Sequence, residues 1–388
     1  MKRILVYRQT VLPPSETFIR QQINCLQNWD ALLVGQSHTL NGINLDGLKT
    51  VILDNFLRCF CHKLAWRFFA LTGWSNLPIY KKLLKFDASV IHVHFAIDAA
   101  YAWSWLRHFK IPLVVTLHGY DITTNPEWWS SGNGGKYLTS FPNRLKALSN
   151  NPNVTFIAVS HAIRQAAIRI YGISPDKIKV IYIGIDTKLF PPNKTLVSKR
   201  LPKVLFVGRL VEKKGVEFLI KAMVSVQNQI PDAELIIIGD GPLRAEMNQL
   251  ANRLKITAHF RGVMSSSDIQ ELMQEVRVFC LPSVIAQNGD SEGFGMVLLE
   301  AQASGLPVIT SAVGGRDEGI LEGKTGFSFK EGDVLSLSQH ILNLLNNNTL
   351  TDEMSAAGPK FITDKFNIDL CTKTLELYYD FLANRHTK

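Results

Sequence analysis

The chain has 388 residues, a formal net charge of +9 and 46% apolar residues, so it is long enough for two or three domains that each bury a core. Its charged fraction of 19% and mean hydropathy of +0.06 exclude a disordered chain. The five cysteines are scattered, odd in number and without CxxC spacing, so we expect neither a disulfide scaffold nor a cysteine-based zinc site. No apolar run reaches the roughly 18–20 residues of a membrane helix, and the N-terminal apolar run is too short for a signal peptide. These features predict a cytoplasmic protein.

The basic residues are concentrated in the first half of the chain. Residues 1–195 carry 22 Lys and Arg against 10 Asp and Glu, a net charge of +12, whereas residues 196–388 carry a net charge of −3. We therefore expect the first half to face an anionic partner, such as nucleic acid, membrane headgroups or a phosphorylated substrate.

Short apolar, β-branched runs alternate with helical periodicity along the whole chain. The runs predict strands over residues 3–7, 31–34, 50–53, 89–94, 112–117, 155–159 and 179–183, and then over 203–207, 234–238, 258–261, 276–281 and 307–310. The main helices are predicted over 160–171, 215–229, 243–254 and 295–304. Strands that alternate with helices of this length favour parallel sheets covered on both faces.

A proline-rich and basic stretch interrupts this alternation and predicts a domain boundary. The expected organisation is a Rossmann-like first domain over 1–190, a linker over 191–202 and a second Rossmann-like domain over 203–365. Helical spacing of apolar residues near the end predicts a helix over 366–388 that packs back on the first domain. Doubly wound sheets bind ligands beyond the carboxyl ends of their strands, so the loops that follow the strands are the places to search.

The loop after the strand over 276–281 holds the richest set of candidates. Glu292 precedes Gly293, Phe294 and Gly295, and a helix that starts near Gly295 would offer its free backbone N–H groups to a phosphate. Glu300 lies further along that helix, where a carboxylate can accept two hydrogen bonds, as from a ribose diol. The alternative is an ordinary loop with a capping glutamate.

Two further loops of the second half are candidates. Arg209 and Lys214 follow the strand over 203–207, and two cations at a strand's carboxyl end suit a diphosphate. The turn that contains Gly241 resembles the start of a dinucleotide-binding fingerprint but lacks its third glycine. The alternatives are a solvated basic loop and a purely structural tight turn.

In the first half, His118 and Asp121 follow a strong apolar strand. His118 at a strand end suits hydrogen bonding or proton transfer. For a single histidine a structural role is the commoner one, but the neighbouring Gly119 and Asp121 favour a functional role here. His92 and His94 flank Val93 on one face of a strand, but no third ligand at a suitable spacing supports a metal site. The chain holds no Asp-x-Asp pair that would anchor a divalent metal.

Taken together, these motifs resemble the retaining nucleotide-sugar glycosyltransferases of family 4, which have the GT-B fold. The resemblance also rests on Gly314 to Glu318, on the stretches 158–161 and 181–186, and on Phe190. The motifs at 15–19, 91–96 and 288–292 resemble the exopolysaccharide branch of that family, with its colanic-acid-type enzymes. Two features depart from the pattern: Ile183-Gly184 replaces the usual Asn-Gly, and the Trp-rich insert 125–135 leaves the acceptor in doubt.

The resemblance implies an α/β protein of the GT-B type, with two doubly wound Rossmann-like domains facing across a cleft. It implies transfer of a sugar from a nucleoside-diphosphate sugar to a saccharide acceptor, one that we expect to be lipid-linked, without metal or cofactor. Glu292 would hold the donor sugar, His118 would act beside it, and the leaving phosphate would take the acceptor proton. The residues that carry over are, on the donor side, Arg209, Lys214, Gly241, Gly293, Phe294, Gly295 and Glu300, and, on the acceptor side, Glu16, Asp121 and Ser160.

The segment 55–86 is a candidate for the surface that binds the anionic partner. Its apolar stripe is formed by Leu57, Phe60, Cys61, Leu64, Phe68 and Leu71, and its cations are Arg58, Lys63, Arg67, Lys81, Lys82 and Lys85. The segment could bind the inner face of the cytoplasmic membrane, with Trp66 and Trp74 at the interface, or its stripe could pack on the first sheet.

Three other readings of the whole chain stay open. The chain could be another GT-B enzyme, such as a nucleotide-sugar epimerase that needs no acceptor. It could be a non-catalytic subunit that binds nucleotide sugars, although the joint presence of Arg209, Lys214, Glu292 and Glu300 argues against decay. A nucleic-acid binder would match the charge of the first half, but no recognisable nucleic-acid module is present.

Overall fold

A computed structural model describes residues 1–13, 16–39, 42–57, 60–74, 77–193, 195–312, 314 and 318–386. The chain forms two compact units. The first unit holds residues 1–183 together with the C-terminal segment from Ile368, and the second unit spans Gly184–Asn367.

The strands follow the alternating pattern of the sequence. In the first unit they are β1 Lys2–Tyr7, β2 Thr10–Val11, β3 Trp29–Gly35, β4 Ser37–His38, β5 Thr50–Ile52, β6 Val90–His94, β7 Leu113–Leu117, β8 Val154–Ala158 and β9 Ile178–Val180. In the second unit they are β10 Lys203–Val207, β11 Glu234–Ile238, β12 Ala258–Gly262, β13 Val278–Leu281, β14 Val308–Thr310 and β15 Gly326–Ser328.

Helices fill most of the intervals between the strands. Those of the first unit are α1 Thr17–Asn24, α2 Phe60–Thr72, α3 Pro78–Lys85, α4 Ala96–Leu106, α5 Tyr120–Thr123, α6 Pro126–Ser130, α7 Phe141–Ser149 and α8 His161–Tyr171. Those of the second unit are α9 Val216–Gln229, α10 Arg244–Arg253, α11 Ser266–Glu275, α12 Met296–Ala303, α13 Val334–Asn346 and α14 Asn348–Phe366. The last helix, α15 Ile368–His386, belongs to the first unit again.

Each unit is built on one parallel sheet. The order of strands is β5-β3-β1-β6-β7-β8-β9 in the first unit and β12-β11-β10-β13-β14-β15 in the second, and β2 pairs separately with β4. All twelve predicted strands are present, with ends shifted by at most three residues, whereas the short strands β2, β4 and β15 were not predicted. The prediction of two Rossmann-like domains with parallel sheets is therefore confirmed.

Consecutive apolar residues explain why both sheets are covered on both faces. Val204, Leu205 and Phe206 follow one another in β10, and each is fully buried although neighbouring side chains point to opposite faces. Only a strand with helices on both faces can bury such a run. The carboxyl ends of these buried strands then lead into the polar loops that hold the candidate residues.

The division between the units lies earlier than the sequence suggested. It falls between Ile183 and Gly184, and the stretch 191–202 lies within the second unit instead of linking two units. Val197 is buried there, and the Arg200 guanidinium donates to the carbonyl oxygens of Met273 and Val276 at 3.1 and 3.3 Å. Prolines and basic residues indicated an exposed linker, but these contacts tie the stretch to the second unit.

The C-terminal helix α15 completes the core of the first unit. Leu375, Tyr379 and Leu382 of this helix lie in one buried cluster with Ile4 and Trp29. The buried Glu376 carboxylate accepts hydrogen bonds from three consecutive backbone N–H groups, those of Gln27, Asn28 and Trp29 at 2.7–3.2 Å. Charge-assisted bonds of this kind fix the helix against the start of β3.

Helix α2 turns its apolar stripe away from the sheet. Leu64, Phe68 and Leu71 are 57%, 50% and 74% exposed, whereas Trp66 and Phe69 on the other face are 9% and 0% exposed. Leu57 of the predicted stripe is buried, while Arg58 and the side chain of Phe60 lie outside the described residues. The stripe from Leu64 to Leu71 therefore does not pack on the first sheet.

No helix in the part of the chain that the structure describes has both the length and the apolar character needed to cross a membrane.

Candidate functional site

In the second unit, an ion pair between Lys214 and Glu292 joins two of the predicted motifs. Lys214 ends a short 3-10 helix, Glu212–Lys214, in the loop that follows β10, and Glu292 lies in the loop that follows β13. Gly215 ends the first of these loops with φ +59°, and a Cβ there would lie 1.9 Å from the carbonyl oxygen of Pro282. Only glycine fits this contact, which brings the two loops and their charged side chains together.

Glu292 is kept ionised by its neighbours. Burial alone would raise the pKa of Glu292, but the charges of Lys214 and Lys213 and a hydrogen bond from Lys214 hold that pKa below its usual value. Lys213 in turn pairs with Asp290 at 3.0 Å. The loops thus carry two adjacent cation–carboxylate pairs at the carboxyl edge of the second sheet.

Beside Glu292, helix α12 begins at Met296. Gly295 occupies the N-cap position with φ +82° and, being glycine, supplies no side chain to cap the helix. Phe294 is buried against Phe366, with ring centroids 5.2 Å apart, and so anchors the turn. The predicted start of a helix near Gly295 is therefore confirmed, and the N–H groups of its first turn point along the axis where an anion would be stabilised.

Glu300 occupies the middle of α12 and differs from Glu292 in its surroundings. Its carboxyl group has no hydrogen-bond or ion-pair partner among the described residues, and burial raises its pKa to about 7. A partly buried carboxylate without a donor is an acceptor that a ligand hydroxyl could satisfy.

Arg209 and Gly241 lie on two loops that fit closely together. A Cβ on Gly241 would lie 2.4 Å from the carbonyl oxygen of Leu210, so the turn approaches the loop after β10 too closely for any other residue. The N–H of Leu210 donates to the backbone carbonyl oxygen of Asp240 at 2.9 Å, and the N–H of Leu243 donates to that of Leu210 at 3.1 Å. Arg209 is exposed, and its guanidinium has no partner among the described residues. The structure thus accounts for Gly241 by packing and leaves Arg209 available.

In the first unit, His118 follows β7 and is surrounded by aromatic rings. The centroids of the rings of Phe95, Phe18 and His94 lie 4.4, 5.1 and 5.3 Å from that of the imidazole. His118 Nε2 and His94 Nδ1 are 3.1 Å apart, which is a hydrogen-bond distance. Burial and the nearby charge of Arg8 hold the pKa of His118 well below its usual value, so the ring is neutral near pH 7.

Arg8 lies at the carboxyl end of β1 and organises charges around this ring. Its guanidinium donates to both oxygens of Glu16, at 2.7 and 2.9 Å, and to Asp98. The same guanidinium lies over the ring of Phe95, 4.3 Å from the centroid. Phe95 itself has φ +73°, a conformation that costs a non-glycine residue on the order of 1–3 kcal/mol and is found mainly at functional sites.

Two acceptor-side candidates are engaged in structural contacts. Asp121 is fully buried and accepts hydrogen bonds from the N–H groups of Ala96, His118 and Gly119 at 2.6, 3.1 and 3.0 Å. Ser160 is also fully buried, and its hydroxyl accepts from the N–H of Ile163 at the N-terminus of α8. Asp121 thus shapes the turn that carries His118, whereas Ser160 caps a helix.

Each unit therefore assembles part of the predicted set. The second unit brings together Lys214, Glu292 and the turn at Gly293 to Gly295, and the first unit arranges Glu16 and Asp121 around His118 through Arg8 and the backbone. Sequence reasoning missed Arg8 and Asp98. It included Phe95, Lys213 and Asp290 in its motifs but gave them no role of their own. Arg8 had a usable signal, because it directly follows a buried strand at the edge where ligands bind.

Some motif residues lie outside the described part of the chain. They are Ser15 of the 15–19 motif and Gly315, Arg316 and Asp317 of the 314–318 motif. In the described ranges, no group of three or more His, Cys, Asp and Glu side chains has an arrangement that could hold a metal ion. The three imidazoles of His92, His94 and His118 instead contact one another and hydroxyl groups.

Comparison with protein families matches one model to each part of the chain. Residues 55–189 match the model described as Glycosyltransferase Family 4, and residues 190–361 match the model described as Glycosyl transferases group 1. The two matches are contiguous and together span most of the chain.

Curated relatives and solved structures extend this likeness. The chain is 28% identical to N-acetyl-alpha-D-glucosaminyl L-malate synthase of Bacillus anthracis over 77% of this chain and 76% of that protein. It is 32% identical to a GDP-mannose-dependent monoacylated alpha-(1-6)-phosphatidylinositol monomannoside mannosyltransferase of Corynebacterium glutamicum, over 50% and 53% of the two chains. The Anabaena protein HepE, solved with UDP and also with UDP-glucose, has a TM-score of 0.77 at 20% identity in its UDP complex, with 98% of this chain and 100% of that chain covered. The last likeness concerns the fold alone.

Proposed function

We propose that this chain, which belongs to the GT-B glycosyltransferases of the group 1 and family 4 type, is a retaining, metal-independent hexosyltransferase. It transfers a sugar from a nucleoside-diphosphate sugar to a saccharide acceptor carried on a lipid, in the synthesis of exopolysaccharide or another cell-surface polysaccharide. The observation that carries the proposal is the Lys214–Glu292 pair beside the glycine-led N-terminus of α12, in the same unit as the exposed Arg209 and as Glu300, which has no partner among the described residues.

On the donor side, cations and amides meet the charge of the leaving diphosphate. We assign the stabilisation of that charge to Arg209, Lys214 and the backbone N–H groups at Gly293 to Gly295, and for this reason the proposal requires no metal ion. Glu292 accepts hydrogen bonds from hydroxyls of the donor sugar, and Glu300 accepts them from the ribose diol. Gly241 supports this half of the site through the close packing of its turn on the loop that carries Arg209.

The bond changes proceed on one face of the sugar. The bond from the anomeric carbon to the leaving phosphate oxygen breaks, and the acceptor oxygen bonds to the same carbon from the same side. The acceptor proton passes to the departing phosphate oxygen, so no protein base takes it. Cations placed where the leaving charge develops lower the barrier most, because they are already oriented before the reaction.

On the acceptor side, His118 is the residue that we assign to the reacting groups. It is neutral, so it can act as a hydrogen-bond donor to a substrate oxygen without a charge of its own. Glu16 and Asp121 act through Arg8 and through the backbone of the turn that carries His118. Ser160 contributes the start of α8.

The relatives support a nucleotide-sugar donor but differ in their named acceptors. HepE is solved with UDP-glucose, and the Corynebacterium relative is named for GDP-mannose and a phosphatidylinositol glycan. The Bacillus relative is named for the synthesis of N-acetyl-alpha-D-glucosaminyl L-malate. A lipid-borne acceptor is favoured here because the first unit exposes a surface suited to lipid headgroups.

That surface consists of the exposed faces of α2 and α3. Leu64, Phe68, Leu71 and Trp74 are exposed apolar side chains, and the exposed cations of these two helices are Lys63, Arg67, Lys81, Lys82 and Lys85. The helices contact each other through Phe69 and Tyr80, whose ring centroids are 4.2 Å apart. Apolar side chains among cations suit the boundary of an anionic bilayer, so we place the enzyme on the inner face of the cytoplasmic membrane.

A donor screen tests the reaction. Purified protein with EDTA is incubated with UDP-, GDP- and ADP-sugars, and release of nucleoside diphosphate is followed for wild type, Lys214→Ala, Glu292→Ala and the surface control Lys221→Ala. We expect release from one donor, loss in the first two variants and retention in the control. Failure of every donor to bind, measured by calorimetry, contradicts the proposal.

The same screen separates the finer claims. Activity that EDTA removes and Mg²⁺ restores contradicts metal independence. An epimerised sugar formed without acceptor indicates an epimerase instead. Once an acceptor is found among lipid-linked saccharides, the coupling constant of the anomeric proton in the product distinguishes retention from inversion.

Vesicle flotation tests the membrane surface. Binding to vesicles that contain anionic lipid should fall with added salt and with the triple change of Lys81, Lys82 and Lys85 to Glu. The control makes the same charge change at Lys136, Lys146 and Lys179, three other exposed lysines of the first unit. Equal binding by both triple variants would contradict this surface.

A further inference from the structure

A buried pair of histidines precedes His118 along the face of the first sheet. His92 and His94 point to one side of β6. Strand β6 pairs with β7 in parallel, and in this register His94 lies opposite Thr116. His118 follows two residues after Thr116 on that side. The pairing of the two strands therefore places three imidazoles in a row, although they come from separate segments of the chain.

His94 has one polar contact among the described residues, and that contact is His118. Its Nδ1 lies 3.1 Å from Nε2 of His118, while its own Nε2 is buried without a hydrogen-bond partner. A buried polar atom without a partner is costly, and each such exception calls for an explanation. The histidine is therefore not explained by satisfied packing alone.

The neighbours of His94 hold its ring in place. The rings of His92 and His94 have centroids 4.3 Å apart. His92 is fixed in turn at both nitrogens, by the Tyr379 hydroxyl at 2.6 Å and the Thr116 hydroxyl at 2.7 Å. Burial lowers the pKa of His92 to about 3 and that of His94 well below its usual value, so both rings are neutral near pH 7.

We propose that His94 is a positioning residue that sets the tautomer of His118 for sugar transfer. The Nδ1–H of His94 donates to Nε2 of His118, which keeps the proton of His118 on Nδ1, the nitrogen that we assign to the substrate. In a neutral imidazole one nitrogen donates and the other accepts, so one hydrogen bond decides both tautomers. This arrangement leaves a lone pair, not an N–H, unpaired at Nε2 of His94. Among buried backbone groups, unpaired acceptors are tolerated more often than unpaired N–H donors.

The tautomer can be read directly by NMR. In protein labelled with ¹⁵N-histidine, the ring signals of His118 are assigned by their loss in His118→Gln. We expect wild type to carry the proton on Nδ1. His94→Phe keeps a ring of similar size but cannot donate, so the proton should move to Nε2 or distribute over both nitrogens. His94→Asn places an amide N–H near the position of Nδ1 and should restore the wild-type pattern.

Kinetics give the second readout, which rests on the proposed transfer activity. His94→Phe should lower kcat about tenfold or more with less than a twofold change in the donor KM, and His94→Asn should recover most of the loss. The matched control is His340→Phe in the second unit, where the imidazole also stacks on an aromatic ring, that of Phe327. This control should leave kcat unchanged.

The two readouts separate failure of this inference from failure of the proposed function. A wild-type proton on Nε2 of His118 overturns the inference without any variant, even if His94→Phe does not fold. An unchanged His118 pattern in folded His94→Phe also overturns it. If no donor is turned over but the tautomer responds to His94, the transfer activity is wrong and the positioning contact stands.

Discussion

The polar clusters of the two units differ in how their charges are satisfied. In the first unit, Arg8 is matched by Glu16 and Asp98, and Asp121 is saturated by backbone N–H groups. In the second unit, Arg209 is exposed and Glu300 has no partner among the described residues. A cluster with matched charges holds a shape, whereas one with available charges binds a ligand. We therefore expect the first cluster to fix the geometry around His118, and we propose that the second binds the donor through Arg209 and Glu300 beside its own Lys214–Glu292 pair.

The largest expected effect comes from breaking the first cluster. Arg8→Met would leave two largely buried carboxylates without their cation, and loss of one partner of a buried pair costs about 3–5 kcal/mol of unfolding free energy. Urea denaturation measures the change. Arg209→Met is the matched variant in the second unit, and it should alter stability by less than about 0.5 kcal/mol because the side chain is exposed. Equal losses of unfolding free energy in the two variants would contradict the difference between the two clusters.

The next effect concerns catalysis by the second cluster. Lys214→Ala should lower kcat roughly 100- to 1000-fold, equivalent to about 2.7–4 kcal/mol of barrier, because a cation that meets the leaving charge is lost. Nucleoside diphosphate release gives the rate. Lys213→Ala removes the neighbouring cation, which pairs with Asp290, and should cost less. A larger loss of kcat in Lys213→Ala would contradict this assignment, because it would show that Lys213, not Lys214, stabilises the leaving charge.

The third effect is a pH dependence of donor binding. Because the pKa of Glu300 is about 7 before binding, its acceptor form grows roughly tenfold between pH 6 and pH 8. Donor hydroxyls bind the ionised form, so the Kd should fall by up to about tenfold as the pH rises through 7. Titration calorimetry should also show proton release on binding near pH 7. Glu300→Gln should make the Kd independent of pH over this range.

The smallest effect separates a cap from a binding residue. Ser160→Ala should lower the unfolding free energy by about 1 kcal/mol, as Ser265→Ala should at the start of α11, because each hydroxyl caps a helix. Transfer rates at saturating acceptor should be unchanged in both variants. A rise in the acceptor KM that is confined to Ser160→Ala would return Ser160 to the acceptor site.

Much of the fold could be predicted because the relevant signals are local. Most of the longer strands are largely apolar, and α12 begins directly after Gly295, so spacing and glycine placement were sufficient. The Lys214 and Glu292 motifs were found because both follow buried strands. The roles of these residues, of Glu300 and of His118 stay predictions until they are measured.

The remainder depends on partners that are distant in sequence. Nothing near Arg8 indicates that it meets Asp98, 90 residues away, and nothing near Ser160 distinguishes a cap from a contact with substrate. Periodicity gave α2 one apolar stripe, but it could not tell that Trp66 and Phe69 would take the buried side instead. The prolines near 191 indicated a linker, and only the contacts of Val197 and Arg200 showed the stretch to be packed.

The closing position of α15 has a consequence for biosynthesis. Glu376 and Tyr379 contact Trp29, roughly 350 residues earlier, so the first unit can finish folding only after the ribosome has released α15. The second unit needs no segment from the C-terminal end, because Gly184–Asn367 is continuous. The order of maturation is therefore opposite to the order of translation. Until α15 is synthesised, the first unit has apolar surface uncovered, and chaperones would bind it at this stage.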